Sequence, residues 1–95
     1  MKLTKNQIDK LNASIEKQKK EITTLQQSNA LAEKDLKKEK AKLQYQTESQ
    51  REDTNNTIAS IKQTISTNDE QIKGHKAKIK ELQQRIENVE RSKGG

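Results

Sequence analysis

The sequence has no cysteine, proline, tryptophan or phenylalanine, a single tyrosine (Tyr45), a single histidine (His75) and three glycines in 95 residues. Each absence removes a class of protein. Without cysteine there are no disulfides and no thiolate metal sites. One histidine cannot make the imidazole cluster that metal binding or acid–base chemistry uses. With one aromatic side chain, the aromatic-lined concave pocket typical of small-molecule sites is out of reach. Apolar residues make up 26% of the chain, against nearly half in an ordinary globular domain, so a thick three-dimensional core is excluded as well. No run approaches the roughly 18 apolar residues of a membrane span, and Met1-Lys2-Leu3-Thr4-Lys5-Asn6-Gln7 lacks the apolar stretch of a signal peptide. The expectation is a soluble chain of unknown compartment.

What is present is charge, 36% of the residues with a net +6, set in a background of glutamine, asparagine, threonine and serine. Such a composition permits disorder, and the placement of the few aliphatic residues decides against it. Ile8, Ile15, Ile22, Leu36 and Leu43 recur at heptad position a, with Leu11, Leu25 and Ala32 at d. The second half repeats the pattern with Ile58, Ile65, Ile72, Ile79 and Ile86 at a, and Ile61, Leu82 and Val89 at d. Spacings of three and four that sum to seven define a coiled-coil stripe. Off the stripe there is little beyond Leu3, Leu31 and scattered alanine. The fold class read from this is all-α, a long two-stranded coiled coil. Its organisation is one elongated region, with a first heptad array over 4–46, a polar break, skip or turn over 47–57, and a second array over 58–92.

The background suits helix: Gln, Lys, Glu, Leu and Arg are good helix formers. Glu16/Lys20, Glu33/Lys37, Asp69/Lys73, Glu81/Arg85 and Glu87/Arg91 are acid-first i,i+4 pairs, each contributing about 0.2–0.5 kcal/mol. The seam dominates. A lone straight helix would leave its whole aliphatic stripe in water, at about 1.5–3 kcal/mol per side chain.

Between Leu43 and Ile58 no aliphatic residue occurs, the interval is one residue longer than two heptads, and Asp53-Thr54-Asn55-Asn56-Thr57 are poor helix formers in succession. Two chain paths follow: a continuous helix with a one-residue skip that pairs with a second copy in parallel, or an antiparallel hairpin of helices near 4–50 and 57–92. Ile at a with Leu at d is the pattern of parallel dimers. A parallel homodimer also sets the polar seam residues Gln18, Asn29, Asn68 and His75 each against its own copy, and aligns Asp35 with Lys40 and Arg85 with Glu90. A hairpin turning at residues 50–51 puts Asn29 near Ile72, Glu33 near Asp69 and Lys40 near Lys62, which is unfavourable. The near-equal halves and helix-poor centre argue for the hairpin. The favoured expectation is the parallel homodimer, a rod about 130 Å long at about 1.5 Å per residue, with the hairpin as the alternative.

For function, the expectation is a non-enzymatic rod, spacer or scaffold whose seam holds the assembly: no serine or threonine is paired with a base, and the carboxylates lie on exposed faces. No cofactor and no metal are expected. The alternative is a hairpin adaptor or stalk engaging another protein through a polar tip, Glu48 to Asn56. Asn29 is read as a register-setting seam residue. His75 at d is a candidate pH-sensitive point if two imidazoles face each other across a dimer. Lys37 and Lys38, from a cluster over 34–42, and Lys73 and Lys76, from a cluster over 73–80, are candidate polyanion contacts. A solvated helix face is the competing account of both. Sequence-specific nucleic-acid reading has little support, with three arginines and no stacking aromatics. Gly94-Gly95 reads as a terminal tail.

Overall fold

A computed structural model describes the backbone of residues 4–94 and the side chains of residues 4–89. It contains two α-helices, α1 (Lys5–Lys42) and α2 (Glu48–Gly94), packed on each other along their length. The chain measures 71 × 14 × 14 Å along its principal axes. It is an all-α, highly elongated helical hairpin. Leu3, Glu90, Arg91 and Gly95, named above, lie outside the residues whose side chains are described.

Two short sequence signals start the two helices. Thr4 caps α1: its Oγ1 accepts from the Gln7 backbone N–H at 3.2 Å, and Gln7 Oε1 accepts from the Thr4 N–H at 2.8 Å. Thr47 and Gln50 repeat the arrangement at the head of α2, at 3.4 and 3.0 Å. Both are Thr-x-x-Gln capping boxes, which satisfy reciprocally two of the backbone donors a helix start leaves free. Leu43 closes α1, its N–H bonding the Lys40 carbonyl, and Tyr45 N–H follows on the Lys42 carbonyl at 3.0 Å. Across the turn, Arg51 Nε donates to the Leu43 carbonyl at 3.0 Å. A cation at the C-terminal end of a helix is favoured by the partial negative charge there.

The reversal therefore comes earlier than the composition suggested. The turn occupies residues 43–47, and Asp53 to Thr57 lie inside α2. Their weak propensity is overridden by packing. Thr54 is buried against the turn and donates its hydroxyl to Gln46 Oε1 at 2.6 Å, while Thr57 Oγ1 bonds back to the Asp53 carbonyl. The one extra residue between Leu43 and Ile58 is a loop residue, not a skip in a continuous helix.

Antiparallel packing within one chain, and not an uninterrupted helix, replaces the favoured parallel arrangement as the chain path. The register also differs from the hairpin weighed above. Asn29 lies beside Asn68, not Ile72. Counting a-to-d layers outward from that pair sets Leu25 opposite Ile72, Ile15 opposite Leu82, Leu11 opposite Ile86 and Ile8 opposite Val89. Toward the turn it sets Leu36 opposite Ile61 and Leu43 opposite Thr54. An open groove lined by Ile15, Glu16, Lys19, Gln83 and Ile86 from the two helices agrees with this count. In this register Glu33 flanks Lys62 and Glu21 flanks Lys78, both of opposite sign, and Lys19 beside Lys76 is the like-charged pair. The unfavourable contacts foreseen for a hairpin belonged to a turn placed too late.

Candidate functional site: the hairpin seam and its tip

The heptad residues all face the partner helix. Ile15, Ile22, Ile58, Ile72, Leu82 and Val89 are buried; Ile8, Leu11, Leu25, Leu36, Leu43, Ile61, Ile65, Ile79 and Ile86 are half-buried. The residues expected to form a seam between two chains thus form one within a single chain. Half-burial is the natural state of a two-stranded seam, in which each layer has solvent on both flanks. Leu31, off the stripe, is 66% exposed.

Polar seam residues are satisfied by each other. Asn68 Nδ2 donates to Asn29 Oδ1 at 3.0 Å and to Ser28 Oγ at 3.4 Å, and Asn29 Nδ2 donates to Asp69 Oδ1 at 2.9 Å. One turn of seam beyond the next aliphatic layer, His75 Nδ1 meets Gln18 Oε1, and its Nε2 lies 3.1 Å from Glu21 Oε2. Among the described residues no buried side-chain polar atom lacks a hydrogen-bond partner. A slip of one heptad would part Asn29 from Asn68 and set at least one of them against an aliphatic side chain, at the cost of unpaired polar groups. The two polar clusters therefore fix the hairpin's register.

This arrangement overturns the premise of the histidine switch. In this fold His75 has no second imidazole before it. It faces an amide oxygen and a carboxylate, so a protonated ring would meet an anion where a parallel dimer would have opposed two cations.

The surface pairs differ in detail from those expected. Arg85 Nη2 contacts Glu81 Oε1 at 2.8 Å as anticipated, but Glu16 engages Lys19 at 3.6 Å in place of Lys20. Glu33/Lys37 and Asp69/Lys73 do not form ion pairs; Asp69 is engaged by Asn29. Lys37 and Lys38 sit near the turn, and Lys73 and Lys76 lie farther down the rod. Lys37, Lys73 and Lys76 share one flank, whereas Lys38 belongs to the other.

At the turn, Tyr45 is 88% exposed, the only aromatic side chain in the molecule and the most exposed large apolar one described. It sits on the far end of the rod from Thr4. The expected polar tip, Glu48 to Asn56, is instead the first turns of α2. Gln46 lies outside the expected break; Thr47, Arg51 and Thr54 lie within it, at 47–57, but without the expectation of the capping and bridging roles by which they build the turn. The Thr47-Glu48-Ser49-Gln50 capping box is the sequence signal that could have located it.

Among the described residues no group of three or more His, Cys, Asp or Glu is placed to hold a metal ion, and no helix is long and apolar enough to cross a membrane. The surface depressions are open grooves along the helices. Comparison of the chain with protein-family models, curated proteins and solved structures finds no match in any of the three.

Proposed function

We propose that this protein works without catalysis as a stiff spacer or stalk, a single-chain helical hairpin that holds its turn at a fixed distance from the end where its two helix termini meet. The observation that carries this reading is the continuity of the seam. From Ile8 opposite Val89 to Leu43 opposite Thr54, the aliphatic stripe is spent on intrachain packing, and the two polar clusters lock its register. What this leaves exposed is a charged outer surface, Leu31 on the side of α1 and, at the tip, Tyr45. Tyrosine offers a large rigid contact at low entropic cost and is enriched among residues that dominate interfaces, so the tip is the natural place for a protein contact.

Spin labels at Lys10 and Glu87, which the register places side by side, test the chain path. A distance within about 20 Å, two helix diameters, is the expected result, together with a monomer mass by sedimentation equilibrium at micromolar concentration. A separation beyond about 60 Å, with a dimer mass, would overturn the reading in favour of a parallel two-chain rod about 130 Å long.

A further inference from the structure

The hairpin does what neither lysine cluster does alone: it gathers lysines from both helices on one flank. Positions b and e of the two helices adjoin in an antiparallel pair. Near the turn this flank carries Lys37 and Lys40 of α1 and Lys62 of α2. Farther down it carries Lys73, Lys76 and Lys80 of α2, with Lys19 of α1 beside them. An open groove of about 570 Å³ on this flank is lined by Lys62, Lys73 and Lys76 together with Asp69 and Glu70, which independently places those lysines around one surface. Of the lysines on the flank only Lys19 is in an ion pair, with Glu16, among the described residues. The carboxylates on or beside the flank over the same length are Glu16, Glu33, Asp69 and Glu70, and Asp69 is already engaged by Asn29. Over that length the opposite flank is balanced: Lys17, Lys38 and Lys78 against Glu21, Asp35 and Glu81. The net positive charge of the rod is therefore one-sided.

We infer that the flank carrying Lys37, Lys40, Lys62, Lys73, Lys76 and Lys80 binds a flexible linear chain of phosphates. The two lysine groups span about 35 Å of rod at about 1.5 Å per residue, and over that length an ordinary supercoil turns the flank by about a quarter turn. A flexible chain can follow that path, whereas a stiff duplex would lose contact with one group while seated on the other. Lysine supplies mobile point charges suited to successive phosphates. Tyr45, the one aromatic side chain, lies at the tip and off this flank, so contact is to backbone phosphate and carries no base preference. This inference is independent of the spacer reading.

Fluorescence anisotropy with two probes tests it: labelled long-chain inorganic polyphosphate, and a labelled mixed-sequence single-stranded DNA of about 30 nucleotides, each at about 50 mM salt, where counterion release favours binding most. The full chain is compared with K73Q/K76Q/K80Q and with K17Q/K38Q/K78Q, which removes the same charge from the other flank. All six lysines are exposed, and far-ultraviolet circular dichroism verifies that both variants stay helical. The expected result is at least a tenfold loss of affinity for the first variant and less than a threefold loss for the second. For the DNA probe the salt slope of the first variant also falls by about two, from three lost contacts at about 0.7 each. Binding of both probes, or of one alone, supports the phosphate-chain site and identifies its source. Absence of binding to either probe, or equal losses in the two variants, would overturn it.

Discussion

Gly74 stands at an outward-facing position of α2, and a Cβ built there meets no atom within 4 Å. Helical glycine costs about 0.8–1 kcal/mol relative to alanine through backbone entropy. Gly74→Ala should therefore stabilise the hairpin by about 1 kcal/mol, seen as a rise of several degrees in the thermal midpoint by circular dichroism. An unchanged or lowered midpoint would show that the glycine is needed for a bend or a close contact. Burial predicts a second contrast. Ile22 is 8% exposed and Leu31 66%. Ile22→Ala should cost about 2 kcal/mol or more, from lost burial and the cavity left behind. Leu31→Ala should stay within about 0.5 kcal/mol of the parent, as exposed substitutions do. Urea denaturation midpoints measure both, and equal effects would contradict the assigned seam. The stripe sets these two positions apart because helical period alone decides which side chains share a face.

At the scale of the element, the two helices owe their ends to matching local devices. Thr4-x-x-Gln7 and Thr47-x-x-Gln50 are legible in the sequence, whereas the Arg51 bond to the Leu43 carbonyl appears only once the turn has brought the two together. The segment Asp53 to Thr57 misled a reading by propensity. Its residues favour turns in isolation, yet Thr54 supplies a seam layer opposite Leu43 and its hydroxyl is satisfied by Gln46. Removing the cap tests this account of the turn. Thr47→Ala should destabilise the hairpin by about 1 kcal/mol, the usual worth of an N-cap, while Thr67→Ala on the exposed middle of α2 should change little. Comparable small effects for both would remove the capping box from the explanation.

For the whole molecule, the question is what holds two helices in one register over this length. Aliphatic layers are poorly discriminating, since a slip of one heptad restores aliphatic against aliphatic at most positions. Asn29 with Asn68, and His75 with Gln18 and Glu21, pair fully in the observed register. Replacing both asparagines, Asn29→Leu with Asn68→Leu, should raise thermal stability while loosening specificity. The expected signature is a higher unfolding midpoint together with mixed species in sedimentation velocity, where the parent gives one. A single species with the parent's mass would show that the turn alone sets the register. A compact rod also predicts a scattering radius of gyration near 21.1 Å, far below that of an extended two-chain rod.

The sequence by itself determined the helices, the seam positions and the absence of a thick core, because these follow from composition and from a period of three and four read along one strand. It did not determine chain direction. A heptad stripe presents the same a and d layers to a parallel or an antiparallel neighbour, and the a-to-d geometry is nearly indifferent to which. Direction was settled by long-range matches that no local window contains: an amide on α1 meeting an amide on α2, a histidine meeting a glutamine and a glutamate, and a tight turn at residues 43–47 that makes those matches coincide. The one-sided array of lysines arises in the same way. Two ordinary clusters, far apart in the chain, acquire a common flank only when the hairpin closes.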